Sequence, residues 1–174
     1  MNGFIAIINK AHPKISVSWK KPFSFQQEFV KRNLEGKNYY IEQYTSQDFL
    51  SDKHLIETNE FLFVTEGIIL NLKSLLKKYL AKDISSLLST LYNNKPYFFK
   101  EFEGNFTGLF YDKKNDKWLF FNNQTGTKKL YYYYNNQCTL ISTDLYILKQ
   151  SLDYLQISSS LNIEAAYLLL TSGF

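Results

Sequence analysis

Met1-Asn2-Gly3-Phe4-Ile5-Ala6-Ile7-Ile8 opens the chain, and its reading decides the fold. Gly3 precedes an unbroken apolar run. A short continuous run bounded by polar residues suits a strand buried on both faces. Such a strand draws its first residues inwards, so Asn2 is read as an interior position and not as a loose terminus. Its carboxamide is neither thiolate nor alkoxide and cannot act as an acyl-transfer nucleophile.

The remaining segments alternate in type. Ile15–Trp19 reads as a strand beside the first. Phe25, Phe29, Val30 and Leu34 space as a helical stripe, with Gly36 as its stop. Tyr39–Tyr44, His54–Thr58 and Glu60–Leu70 are rich in aromatic and branched residues and read as strands. Leu72, Leu75, Leu76, Tyr79 and Leu80 form one helical stripe. A second runs from Asp83 as N-cap through Leu87, Leu88, Leu91 and Tyr92, ending before Pro96. Pro96 opens a short third helix to Phe102. Strands follow at Asn105–Asp112, Lys117–Asn122, Leu130–Tyr134 and Gln137–Ser142, joined by Lys113–Asp116 and by Asn135-Asn136 turns. Asp144–Leu152 and Ile163–Thr171 read as helices. Strands, helices, strands, helices in that order predict an α+β arrangement of antiparallel sheets with helices outside.

A chain of 174 residues is large enough for one core. With 14 Tyr and 15 Phe, that core is expected to be bulky. The net charge of +4 comes from scattered lysine pairs, and Arg32 is the single arginine. Nucleic-acid readers use arginine forks and clustered charge, so the lysines read as solvated surface. One cysteine, Cys138, excludes an internal disulfide and suits a reducing compartment. His12 and His54 stand in no metal-ligand spacing, and no metal site is expected. Phe61–Leu70 is broken by Glu66 and far too short to span a bilayer. No export signal is visible, so a cytoplasmic protein is expected.

Four internal stretches, with the opening, resemble the class II glutamine amidotransferases. Members begin Met-Cys-Gly and then an apolar strand. Glu66-Gly67-Ile68-Ile69-Leu70-Asn71 is similar to their Asn-Gly-Glu-Ile-Tyr-Asn. Phe102 to Asp112 resembles Leu-x-Gly-x-Phe-Ala-x-x-x-Tyr-Asp, Asn123 to Tyr132 resembles Asp-x-x-Gly-x-Lys-Pro-Leu-Tyr-Tyr, and Ile141-Ser142-Thr143-Asp144 resembles the Ala-Ser-Glu strand end. Order and spacing resemble the N-terminal domain of asparagine synthetase-like proteins. The resemblance implies a four-layer αββα sandwich of two antiparallel sheets, the Ntn-hydrolase fold. It places an amidotransferase-like domain at residues 1–160 and a helix or linker towards a synthetase domain at residues 161–174.

The departures bear on activity. Asn2 stands at the position of the nucleophilic cysteine, and Met1 is expected to remain attached. Glu66 stands where the family has an asparagine that donates to the oxyanion, while Gly67 keeps the backbone donor position. A carboxylate there repels developing negative charge. The Arg-Gly-Pro-Asp stretch that clamps the substrate carboxylate has no counterpart in residues 38–52. Asp83, with a one-residue shift, matches the aspartate that binds the substrate amino group. Glu66, Asn71 and Asp83 are thus the expected remnant substrate pocket, and no cofactor is expected in this domain. The reading is an inactive glutaminase with a structural or regulatory role towards an ATP-dependent, amide-forming synthetase domain in cis or in trans. A second reading is a stand-alone module that binds a small-molecule ligand or pairs as a homodimer. A third, hydrolysis by Thr65 or Cys138, lacks an identifiable base nearby in sequence.

Overall fold

The computed structural model describes residues 3–9, 29–47, 53–158, 160 and 162–164. Nine strands and three α-helices lie among them: β1 (Gly3–Asn9), β2 (Phe29–Glu35), β3 (Tyr39–Ser46), β4 (Leu55–Glu57), β5 (Phe61–Ile69), α1 (Leu72–Lys78), α2 (Ile84–Asn94), β6 (Gly104–Asp112), β7 (Lys117–Asn122), β8 (Tyr131–Tyr134), β9 (Cys138–Ser142) and α3 (Leu145–Tyr154). The strands form two antiparallel sheets, β2-β3-β1-β9-β8 and β4-β5-β6-β7. The class is therefore α+β.

The opening run behaves as its composition demands. β1 lies between β3 and β9, and Phe4 to Ile8 are all buried. Successive side chains of a strand point to opposite faces. Phe4, Ala6 and Ile8 join a cluster with Ile41 and Ile141 that also takes Leu62, Val64, Leu109 and Tyr111 from the other sheet. Ile5 and Ile7 pack with Leu140 and with Leu148 and Leu152 of α3. A strand used on both faces has no place for polar alternation.

The aromatic content has a structural home. Phe61, Phe63, Phe106, Phe110 and Phe121 of the four-stranded sheet pack against Leu75 of α1 and Leu87, Leu88 and Leu91 of α2. Phe98 sits at the centre of this cluster, with rings of Tyr92, Phe102, Phe110 and Phe121 around it. Edge-to-face contacts dominate, as ring quadrupoles favour. α2 begins at a capping box: Asp83 Oδ1 accepts from Ser86 N at 2.8 Å, and Ser86 Oγ accepts from Asp83 N.

Two expectations need correction. The helix expected from Phe25 to Leu34 is, in its described part, the edge strand β2, paired with β3 from Phe29↔Ser46 to Glu35↔Tyr40. Exposure alternates from Val30 to Glu35, a period of two. Val30 and Leu34 satisfy both periods, and pairing with β3 selects the strand. Gly36 is the turn of this hairpin, closed by Gly36 N donating to Tyr39 O at 3.0 Å. A Cβ there would meet the Tyr39 ring at 2.3 Å. The segment after Pro96 is a single 3-10 turn, Phe98–Glu101, instead of a longer helix. Ile15–Trp19, and the final helix beyond its first two residues, lie outside the described residues.

Candidate functional site

Period two carries the inter-sheet face of each strand into a polar end. On β5, Leu62 and Val64 are followed by Glu66. On β3, Tyr39 and Ile41 are followed by Gln43. On β6, Leu109 and Tyr111 are preceded by Thr107, which pairs with Glu66 across the ladder. Glu66, Gln43 and Thr107 are all buried.

Glu66 is only 2% exposed. Its Oε1 lies 3.8 Å from Lys53 Nζ and 3.6 Å from Lys128 Nζ. These are ion pairs too long to be hydrogen bonds. Oε2 is buried and has no hydrogen-bond partner among the described residues. Burial pushes the Glu66 carboxyl above the ordinary glutamate range, and the opposing charges of Lys53 and Lys128 do not cancel that rise. The next residue, Gly67, has φ +101, and a Cβ there would sit 2.1 Å from the carbonyl oxygen of Asn105. Glycine is required at that point, because a side chain has neither the space nor the backbone conformation it needs.

Lys53 is itself buried, and its main chain is tied down. Arg32 Nη2 donates to Lys53 O at 2.7 Å and also to Gln43 Oε1. Gln43 Nε2 donates to Thr65 O at 2.8 Å and to His54 O at 3.3 Å. Arg32 and Gln43 are cross-strand partners in the β2–β3 hairpin, so this strap joins one sheet to the segment beside β5 in the other. Burial lowers the Arg32 pKa from its ordinary value.

Tyr44 links this region to the start of β1. It pairs with Gly3, where a Cβ would come within 2.6 Å of Tyr44 Oη and 2.3 Å of Thr143 Oγ1. The hydroxyl is buried without a well-formed hydrogen bond. Burial raises its pKa, and the charges of Asp144 and then Glu66 add to the rise. Phe4 N donates to Thr143 Oγ1 at 3.0 Å, which fixes the first turn of chain after Gly3. Asn2 lies outside the described residues.

The other expected pocket residues have local duties. Asn71 Nδ2 donates to Glu101 O at 2.8 Å, and Asn71 Oδ1 accepts from Glu103 N at 3.0 Å, so its amide ties the end of β5 to the chain entering β6. Asp83 is exposed and caps α2. Neither is bonded to Glu66. Lys53, Arg32, Gln43 and Tyr44 escaped the sequence reading, and Lys128 entered it only as the lysine of the Asn123 to Tyr132 stretch. Of the first four, Gln43 alone left a signal, a polar residue at an inward position of an aromatic strand. Cys138 is buried in β9, and among the described residues no group of His, Cys, Asp and Glu could hold a metal. No helix of the described residues is long and apolar enough to cross a membrane.

The site is thus a buried carboxylate between two lysines, beside a glycine at positive φ. Residues 46–150, more than half of the chain, match the family described as glutamine amidotransferase domain. The chain belongs to that family. No curated protein matches it.

Proposed function

We propose that this is a glutamine amidotransferase scaffold without glutaminase activity, serving an asparagine synthetase-like, ATP-dependent synthetase domain in cis or in trans in the cytoplasm. The observation that carries the reading is Glu66. Its carboxyl is buried beside Gly67, where the resemblance places the asparagine that donates to the oxyanion, and it offers no such donor. Asn2 adds the absence of a thiol at the position of the family's nucleophile.

The proposal includes the four-layer stacking of helices, sheet, sheet and helix. Three packing clusters support it: one shared by the two sheets, one between the four-stranded sheet and α1 with α2, and one between the five-stranded sheet and α3. The role is then structural or regulatory, exerted through contact with the synthetase domain. Incubating the purified protein with glutamine and measuring glutamate tests the activity claim. The expected release equals that of a protein-free control, and release at ordinary amidase rates overturns the reading.

A further inference from the structure

We propose that Lys53 and Lys128 form a seat for a small carboxylate, and that Glu66 is its built-in occupant. The inference rests on reading Glu66–Gly67 as the site and adds what the site would hold. Two ammonium groups arrive from different loops, one before β4 and one after β7, and converge on the same oxygen, Glu66 Oε1. One of them is not a swinging surface side chain: Lys53 is buried, and Arg32 holds its carbonyl at 2.7 Å. The Lys53 half of the seat is therefore built by the fold, while Lys128 reaches in from a half-exposed position.

The occupant fits the seat loosely. The Lys113–Glu57 pair closes to 2.7 Å, whereas Glu66 stays 3.6 Å and 3.8 Å from its lysines. Its second oxygen goes unpartnered among the described residues in a buried position, a cost that a native fold seldom carries without a reason. The next residue is confined to glycine, because a Cβ at Gly67 would meet the Asn105 carbonyl oxygen. Cutting the side chain back at position 66 then leaves a cavity of carboxylate size lined by two cations, which an external carboxylate can enter. With Glu66 present, that entry is closed, and the pocket excludes acidic ligands by filling itself.

Formate is the probe. Thermal unfolding of the wild type, Glu66→Ala and Glu66→Gln is followed in sodium formate against sodium chloride at equal ionic strength, with formate binding read by NMR line broadening. Glu66→Ala is expected to melt below the wild type and to recover saturably in formate but not in chloride. Adding Lys128→Ala to it weakens formate binding by about tenfold, the loss of one charge contact. The wild type and Glu66→Gln, whose side chains fill the seat, show no formate-specific gain. Equal formate binding by wild type and Glu66→Ala overturns the proposal, as does a folded Glu66→Ala indifferent to the choice of anion. Should Glu66→Ala fail to fold in chloride, recovery of folding in formate supports the seat, and failure in both salts overturns it. Formate response is silent on glutamine hydrolysis, so the seat and the functional reading fail separately.

Discussion

Asp112 and Glu66 are both buried carboxylates on neighbouring strands of one sheet, and the protein treats them in opposite ways. Asp112, at the end of β6, accepts from Tyr92 Oη at 2.7 Å and Asn115 Nδ2 at 2.6 Å on one oxygen. Its other oxygen takes the backbone N–H groups of Lys114 and Asn115 at 3.0 and 3.1 Å. Burial alone would raise its pKa, but the hydrogen bonds from Asn115 and Tyr92 outweigh burial and hold it below the ordinary aspartate range. Glu66, at the inward end of β5, has nearby charges instead of hydrogen bonds, and its pKa moves up. Saturating a carboxylate with short-range donors stabilises its charge. Cations at 3.6 to 3.8 Å without a hydrogen bond do not match that. Asp112 organises the β6–β7 hairpin, whereas Glu66 is an ionisable group retained at a cost.

The largest test of this contrast removes the better-solvated charge. Asp112→Ala strips four donors of their acceptor and is expected to cost about 3–4 kcal/mol in urea unfolding, since hydrogen bonds to a charged group are the expensive ones to lose. A change below about 1 kcal/mol would show that the turn forms without its carboxylate. Lys53→Met comes next. It removes one cation from Glu66 but leaves Lys128 and fills the space, so about 2 kcal/mol is expected, less than the full cost of breaking a buried pair. A Lys53→Met protein as stable as the wild type would reduce the pair to packing.

The smallest effect is the most diagnostic, because the two residues should differ in sign with pH. Glu66 has a folded pKa above its unfolded one. Between those two values the native state binds more protons, so stability rises as pH falls through the folded pKa towards the unfolded value. That gain is missing in Glu66→Gln, so the wild type should improve relative to this variant on mild acidification. Asp112 has a folded pKa below its unfolded one. Its contribution is present above the unfolded value and is lost as pH falls through the folded one. The advantage of the wild type over Asp112→Asn should therefore shrink in acid. Chemical denaturation of the three proteins between neutral and acidic pH gives both slopes. Two slopes of the same sign would refute the contrast.

Much of the fold was legible in local patterns. The run from Phe4 to Ile8, the Asp83 cap, the Asn135-Asn136 turn and the stripes of α1 and α2 each carry their signal within a few residues. The Asn135 turn is typical, with Asn135 Oδ1 accepting from the N–H groups of Gln137 and Cys138. β2 was not legible, because Val30 and Leu34 fit a helix and a strand equally and the choice lies with β3. At the site, Glu66 and Gly67 stood out as a motif. The lysines that face Glu66 come from separate loops: Lys128 lay inside a recognisable motif, but nothing around Lys53 marked its role.

The amino-acid sequence by itself determined most of the strands and helices, β2 excepted, that the opening strand would be buried on both faces, and that Asn2 cannot attack an acyl group. These are properties of hydrophobic spacing, turn chemistry and a single functional group. Only the tertiary structure decided that Arg32 and Gln43 would strap Lys53 into place, that Glu66 would face two ammonium groups with one oxygen left over, and that Gly67 had to be glycine because Asn105 lies against it. Charge pairing and steric exclusion act through space, between residues that the chain brings together only after the sheets have formed.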